Sequence, residues 1–286
     1  MRLALGTVQF GLAYGIAGRG QVVPEAEVRA ILECAADDGV CCVDTASAYG
    51  DIEQRLGRLA SGLPLDFVTK VPAIPADLTP ANAATFALEA AARSLTRLGP
   101  ALRSLMLHNG ADLHGERGDH VASALRSWSA RQGIRFGASC YAPEEAGALQ
   151  RKHGIALTQL PGNALDQRVT DDNTNLRGLE IHLRSVFLQG LLLMPLADAI
   201  AKLPHARPAL EQWHSSCRQH GNTALEMALA VAKSFSAVSY VVVGVDSLAQ
   251  WREIAQAWRR VTAVSAPELN CLSPQITDPR LWNSAP

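Results

Sequence analysis

The sequence predicts an α/β protein folded as a single-domain (β/α)8 TIM barrel over residues 1–286, with an extra helix after the seventh strand and an extended C-terminal tail. Three observations lead there. Eight short apolar or β-branched runs alternate with eight Ala- and Leu-rich stretches of helical character, the pattern of a parallel sheet with helical crossovers. No Gly-, Ser- or Pro-rich linker divides the chain. Its length suits a barrel, for which about 250 residues is usual. A doubly wound open sheet is the other topology that the alternation allows.

In chain order the strands fall at 3–8, 41–45, 67–71, 104–108, 134–139, 156–159, 181–186 and 240–243. The helices fall at 24–38, 53–59, 80–98, 121–131, 143–153, 171–178, 223–234 and 247–258. Pro24 and Pro143 suit first helical positions, where a missing N–H costs nothing, and Ser247 suits an N-cap. The stretch 193–221 is a longer connection with its own helix around 208–220. The tail 264–286 holds four prolines and reads as an extended strap, with Trp282 placed to close one wall of a site. No internal repeat or low-complexity tract is present.

At 48% hydrophobic and 19% charged, the chain is globular and long enough to bury a site. With 26 basic and 27 acidic residues its net charge is -1, which leaves no electrostatic footprint for nucleic acid or an anionic membrane surface. Near the start, Gly6, Gln9, Gly11 and Gly15 interrupt any run resembling a signal peptide. The most apolar segment, 186–200, is broken by Gln189, Gly190, Pro195 and Asp198 and is too short to span a bilayer. A cytoplasmic location is expected. Six cysteines show neither a CxxC pair nor metal-ligand spacing and read as core fillers. Adjacent Cys41 and Cys42 would point to opposite faces of a strand, so no simple disulfide between them is expected.

In a barrel of this kind, functional groups lie at the C-terminal ends of the strands and in the loops behind them. The polar residues there are Asp44 and Tyr49, Lys70, His108, Ser139, Gln159 with Asn163, Arg184 with Ser185, and the stretch 244–247. Taken singly each has a plain structural use, such as Asp44 capping a turn or His108 sitting satisfied in the core. Together, at the ends of three successive strands, Asp44, Tyr49, Lys70 and His108 suit one chemistry. Reducing a carbonyl requires a proton for the oxygen as hydride reaches the carbon, and a free phenol, with a pKa of about 10, is a weak donor near neutrality. A Lys70 ammonium would stabilise the Tyr49 phenolate, Asp44 would keep that ammonium charged and oriented, and His108 would donate a hydrogen bond to the carbonyl oxygen.

Residues 44–50, Asp-Thr-Ala-Ser-Ala-Tyr-Gly, with Glu53 and Leu56-Gly57 behind them, resemble the signature segment of the aldo-keto reductases. The opening Leu5-Gly6-Thr7, then Val68-Thr69-Lys70, Leu105-Met106-Leu107-His108, Gly137-Ala138-Ser139 and Gln159-Leu160-Pro161-Gly162-Asn163, occur in that family's order, and 185–191 and 243–253 extend the likeness over nearly the whole chain. The resemblance implies a (β/α)8 fold and an oxidoreductase acting on an aldehyde, ketone or open-chain sugar, or on the corresponding alcohol. It implies Asp44, Tyr49, Lys70 and His108 as the catalytic tetrad, with Tyr49 as proton donor, and NADP(H) or NAD(H) lying extended across the barrel mouth.

The cofactor clamp implied in this way comprises Thr7, Asp44, Ser139, Gln159, Arg184, Ser185, Gly190, Gly244, Val245, Asp246, Gln250 and Glu253. Ser139 and Gln159 would bond the nicotinamide carboxamide, while Cys140 replaces the family's usual Asn and Arg184 replaces a frequent ring-stacking tyrosine. Where many members place a Lys and an Arg for the 2′-phosphate of NADP, this chain has Gly244 and Gln250, and Ile254 replaces a usual Asn. Asp246 would repel a 2′-phosphate and accept from a 2′-hydroxyl, a slight lean to NAD(H) unless Arg252 supplies the missing charge. Two alternatives stay open. The departures in the clamp suit a nicotinamide-binding regulator or interaction subunit with little turnover. A metal-assisted enzyme is disfavoured because His108, His114 and His120 lack close ligand spacing, so no metal is expected. The implied partner is a small carbonyl or alcohol substrate, whose shape the short polar loop 109–119 does not specify.

Overall fold

The computed structural model describes residues 1–13, 21–169 and 173–284, and in it eight parallel strands close into a barrel in sequence order. The strands are β1 (Arg2–Gly6), β2 (Cys42–Asp44), β3 (Asp66–Val71), β4 (Leu102–Leu107), β5 (Arg135–Ser139), β6 (Leu157–Pro161), β7 (Glu180–Arg184) and β8 (Tyr240–Gly244). β1 pairs with both β2 and β8, which shuts the barrel and excludes the open sheet. The helices are α1 (Val8–Gly11), α2 (Glu25–Asp37), α3 (Ile52–Leu59), α4 (Pro80–Leu98), α5 (Gly115–Gln132), α6 (Pro143–His153), α7 (Leu196–Lys202), α8 (Arg207–Gln219), α9 (Ala224–Ser234), α10 (Leu248–Arg260) and α11 (Pro274–Thr277).

The two-residue side-chain period of the strands builds two cores. Leu5, Val43, Phe67, Leu105, Phe136, Leu160, Leu183 and Val241 face outward and join the helices in one large apolar cluster. Ala4, Cys42, Val68, Met106 and Leu157 pack together inside the barrel, with Tyr240 and Val242 against them. Two positions further along the same strands stand Gly6, Asp44, Lys70, Gln159 and Gly244, and His108 just past the end of β4. Alternation therefore turns these residues toward the barrel axis at its C-terminal mouth.

The helix boundaries follow from their caps. Thr79 accepts from Asn82 N ahead of α4, whose first residue is Pro80, and Pro143 opens α6 as expected. Ser247 caps α10 by accepting from Gln250 N. Pro24 stands one residue earlier than expected, as the N-cap of α2. α5 begins ahead of the expected 121 because Gly115 and Gly118, which interrupt its apolar pattern, lie inside the helix; Gly118 packs directly on the Leu113 backbone.

Three expectations are corrected. The connection after β7 holds α7 as well as α8, since a seven-residue helix following Pro195 has too short an apolar period to read. The predicted helix 171–178 starts outside the described residues, and its described part is one 3-10 turn, Thr174–Leu176, capped by the Asn173 side chain. The tail is not extended: Pro267, Pro274 and Pro279 each begin a short helical turn, the position where proline's fixed φ favours a helix start. Its described part is pinned by bonds such as Gln167 N to Asn270 Oδ1 at 3.1 Å and Gln212 Nε2 to Glu268 O at 2.9 Å. The six cysteines are free thiols. Among the described residues no helix is long and apolar enough to cross a membrane, and no cluster of His, Cys, Asp and Glu could hold a metal.

Candidate active site

β2 ends at Asp44 and β3 carries Lys70, and the two are joined in the barrel mouth. Lys70 Nζ donates to Asp44 Oδ1 at 2.7 Å and Oδ2 at 2.8 Å, and to Thr45 O at 2.9 Å. Lys70 is only 1% exposed. An ammonium so buried is tolerable only because three oxygens, two of them from a carboxylate, surround it. Asp44 also accepts from Gln159 Nε2 at 2.8 Å, and its backbone oxygen accepts from the Thr7 hydroxyl at 3.0 Å, so β3, β6 and the residue just past β1 hold it in place.

The turn after β2 delivers Tyr49 beside this pair. Ser47 Oγ donates to Lys70 O at 2.8 Å and Tyr49 N to Ala46 O at 3.0 Å, folding residues 46–49 back over the end of β3. From the other side Gly11 lies against the Tyr49 carbonyl, where any Cβ would collide with the Tyr49 backbone. Lys70 Nζ lies 5.8 Å from the Tyr49 ring centroid. The His108 ring meets Tyr49 edge to face, with centroids 5.7 Å apart and planes at 81°. Burial first, and the Lys70 ammonium second, push the His108 pKa down from 6.5 to about 4, so the imidazole is neutral near pH 7. No hydrogen bond to its ring occurs among the described residues, which leaves a donor and an acceptor facing the cavity.

Glu53 supports this arrangement from behind. Its buried carboxylate accepts from Thr69 Oγ1 at 2.6 Å, Ser94 Oγ at 2.7 Å and Arg97 Nη1 at 3.1 Å, tying α3 to α4 and to the residue next to Lys70. Arg55 on the same helix donates to the carbonyls of Phe10 in α1 and of Val23 just ahead of α2.

Asp44, Tyr49 and His108 line one end of a cavity of about 660 Å³, within the usual range for cofactor sites of about 300–1,000 Å³. Thr7, Ser139, Gln159, Arg184, Ser185, Gly190, Gly244, Asp246, Gln250 and Glu253 also line it. Val245 does not; its side chain turns into the helix-facing core. Cys140 is likewise absent from the wall, and burial pushes its thiol pKa up to about 12. Trp282 lines neither this cavity nor the smaller one beside it, and its indole instead donates to Ile276 O at 3.2 Å.

Several lining residues escape a reading of sequence alone. Gln9 reaches the wall, and its Oε1 is buried without a hydrogen-bond partner. Tyr141 lies two positions beyond Ser139, the same parity that marks the strand ends. Thr223, Ala224 and Leu225 bring the N-terminus of α9 to the cavity, and a capping box announces it: Thr223 Oγ1 accepts from Glu226 N while Glu226 Oε2 accepts from Thr223 N.

Between β7 and α7 the backbone takes positive φ at Ser185 (63°), Leu188 (47°), Gln189 (54°) and Gly190 (93°), a strained bend of the kind that concentrates at ligand sites. With the α9 N-terminus opposite, that end of the cavity offers backbone N–H dipoles suited to a diphosphate. At the start of α10, Asp246 N donates to Gln250 Oε1 at 2.7 Å and Leu248 N to Glu27 Oε1 at 2.7 Å. Glu27, Asp246 and Glu253 thus give this end a negative character. Among the described lining residues Arg184 is the only lysine or arginine, and Arg252 is not among them.

No protein-family model and no curated protein matches the sequence. Solved structures do. An aldo-keto reductase of Bacillus halodurans in its holo form superposes with a TM-score of 0.73 over 98% of this chain and 95% of its own, at 18% identity. A candidate aldo-keto reductase of Pseudomonas aeruginosa superposes with a TM-score of 0.61 over 90% of this chain and 88% of its own, at 19% identity. At these identities the likeness is one of fold: the chain has the barrel of the aldo-keto reductases.

Proposed function

We propose that this chain is an aldo-keto reductase, an NAD(P)(H)-dependent oxidoreductase that reduces an aldehyde, ketone or open-chain sugar to the alcohol, or runs the reverse. One observation carries the reading: Asp44, Lys70, Tyr49 and His108 meet at a cavity whose wall also holds the N-terminus of α9 and the positive-φ bend after β7. When bound, the nicotinamide supplies the hydride.

The chain's own groups do the rest. His108, neutral, donates one ring N–H to the carbonyl oxygen and fixes its approach. Tyr49 passes its hydroxyl proton to that oxygen, and the Lys70 ammonium near its ring stabilises the phenolate left behind. Asp44 keeps Lys70 charged and aimed. Gln159 commits its amide N–H to Asp44, so its oxygen, with the Ser139 hydroxyl, remains for the carboxamide.

The cofactor we read as NAD(H). Glu27, Asp246 and Glu253 near the α10 N-terminus disfavour a 2′-phosphate by like charge, and no described basic side chain lines that end. Titrating the protein with each reduced cofactor by nicotinamide fluorescence, then adding a panel of aldehydes and sugars, tests both readings. Cofactor binding followed by aldehyde-dependent oxidation is expected. Binding without turnover of any carbonyl refutes the enzyme reading, and a Kd for NADPH about tenfold below that for NADH refutes the cofactor reading.

A further inference from the structure

Arg184 ends β7 with its side chain half-buried at the mouth of the barrel, on the wall that also carries Tyr49 and His108. A second cavity of about 150 Å³ opens beside the first, and Tyr141, Arg184 and Ser185 form the partition between them. Arg168 and Arg280 also line this side cavity. Two of the three guanidinium groups are neutralised: Arg168 bonds both oxygens of Asp166 at 2.8 Å, and Arg280 grips Asp278 in the same bidentate way, with Nε at 2.9 Å from Oδ1. Arg184 is not. Its one side-chain bond among the described residues is a long 3.4 Å contact to Ser185 Oγ, and no described carboxylate lies within ion-pair distance. It rests instead 4.5 Å from the centroid of the Tyr141 ring, against which Arg280 also packs at 3.3 Å.

Asp278 feels the Arg184 charge only from beyond ion-pair distance, its two oxygens being held by Arg280, and a half-buried guanidinium so weakly compensated is costly unless an anion arrives to complete it. We infer that Arg184, backed by Tyr141 and Arg280, is an anion subsite beside the catalytic tyrosine, so that the substrate is a small aldehyde or ketone carrying a carboxylate or phosphate. The inference rests on the reading proposed above. The anion is the substrate's rather than the cofactor's because the side cavity shares no lining residue with α9 or α10 and meets the bend after β7 only at Ser185. Arg184 is also among the charges that depress the His108 pKa, which places it within electrostatic reach of the carbonyl site.

Matched substrates test this. The full-length protein is assayed with 4-oxobutanoate against butanal, and with glyceraldehyde 3-phosphate against glyceraldehyde. The anionic member of at least one pair is expected to show the higher kcat/KM, and the identity of that pair distinguishes carboxylate from phosphate. Arg184→Met should lower that anionic-to-neutral ratio by about 10- to 100-fold, the worth of charged hydrogen bonds, and Arg184→Lys should restore part of it. Asp278→Asn, which removes the competing carboxylate, should raise the ratio, a gain that a damaged fold would not produce. Neutral substrates preferred in both pairs, with Tyr49-dependent turnover, would overturn the subsite and leave the proposed activity standing. An equal loss for both members of a pair in Arg184→Met, with weakened cofactor binding, would reassign the arginine to the cofactor and also overturn it. If no aldehyde turns over, the proposed activity fails, and calorimetric binding of succinate and of inorganic phosphate decides the subsite: binding lost in Arg184→Met supports it, and binding absent or unchanged overturns it.

Discussion

Burying His108 as a neutral ring beside Lys70 ties the stability of the barrel to pH. The unfolded chain protonates this histidine near pH 6.5, while the folded chain resists until about pH 4. Between those values the unfolded state binds the extra proton, so stability falls as pH falls; the contribution is whole above about pH 6.5 and spent below about pH 4. Each pH unit in the window costs about 1.4 kcal/mol, and because the ring is partly exposed the loss across it is about 2–3 kcal/mol. Other groups titrate in the same range, so the measurement is a difference: urea unfolding of wild type and of His108→Gln at about pH 7.5, 6 and 5. The wild type should lose about 2 kcal/mol more than the variant over this range. Parallel losses in the two proteins would refute the claim that the site holds a neutral imidazole by burial and by the Lys70 charge.

Asp44→Asn leaves the Lys70 ammonium buried without its carboxylate and should cost about 3–5 kcal/mol in urea unfolding, together with nearly all turnover; a loss below about 1 kcal/mol would mean that the pair is not held as described. Gly11→Ala drives a Cβ into the Tyr49 backbone although residue 11 donates nothing to chemistry, so kcat should fall about tenfold or more, as misplacing a reacting group does. Wild-type kcat in that variant would contradict the close approach of the two turns.

Much of this was legible because parallel strands covered on both faces are continuous apolar runs, and all eight lie within about two residues of their expected bounds. The mouth of the barrel could be read for the same reason: polar residues ending such runs have few other places to point. Corrections cluster where proline has two meanings. In the tail, Pro267, Pro274 and Pro279 look like breakers in sequence and act as helix starts in space. Gln9 and the start of α9 line the cavity through tertiary placement, which no local period records. Arg184 is legible as the end of β7, yet its setting depends on Tyr141 from the loop after β5 and Arg280 from the tail, a meeting that strand patterns do not announce.

Tyr49 carries the central claim. Tyr49→Phe keeps the ring edge to face with His108 and removes only the hydroxyl group. Steady-state turnover of the best carbonyl substrate, measured beside the cofactor Kd, should fall at least about a hundredfold while the Kd stays within about twofold. Turnover retained at the wild-type rate would contradict the account.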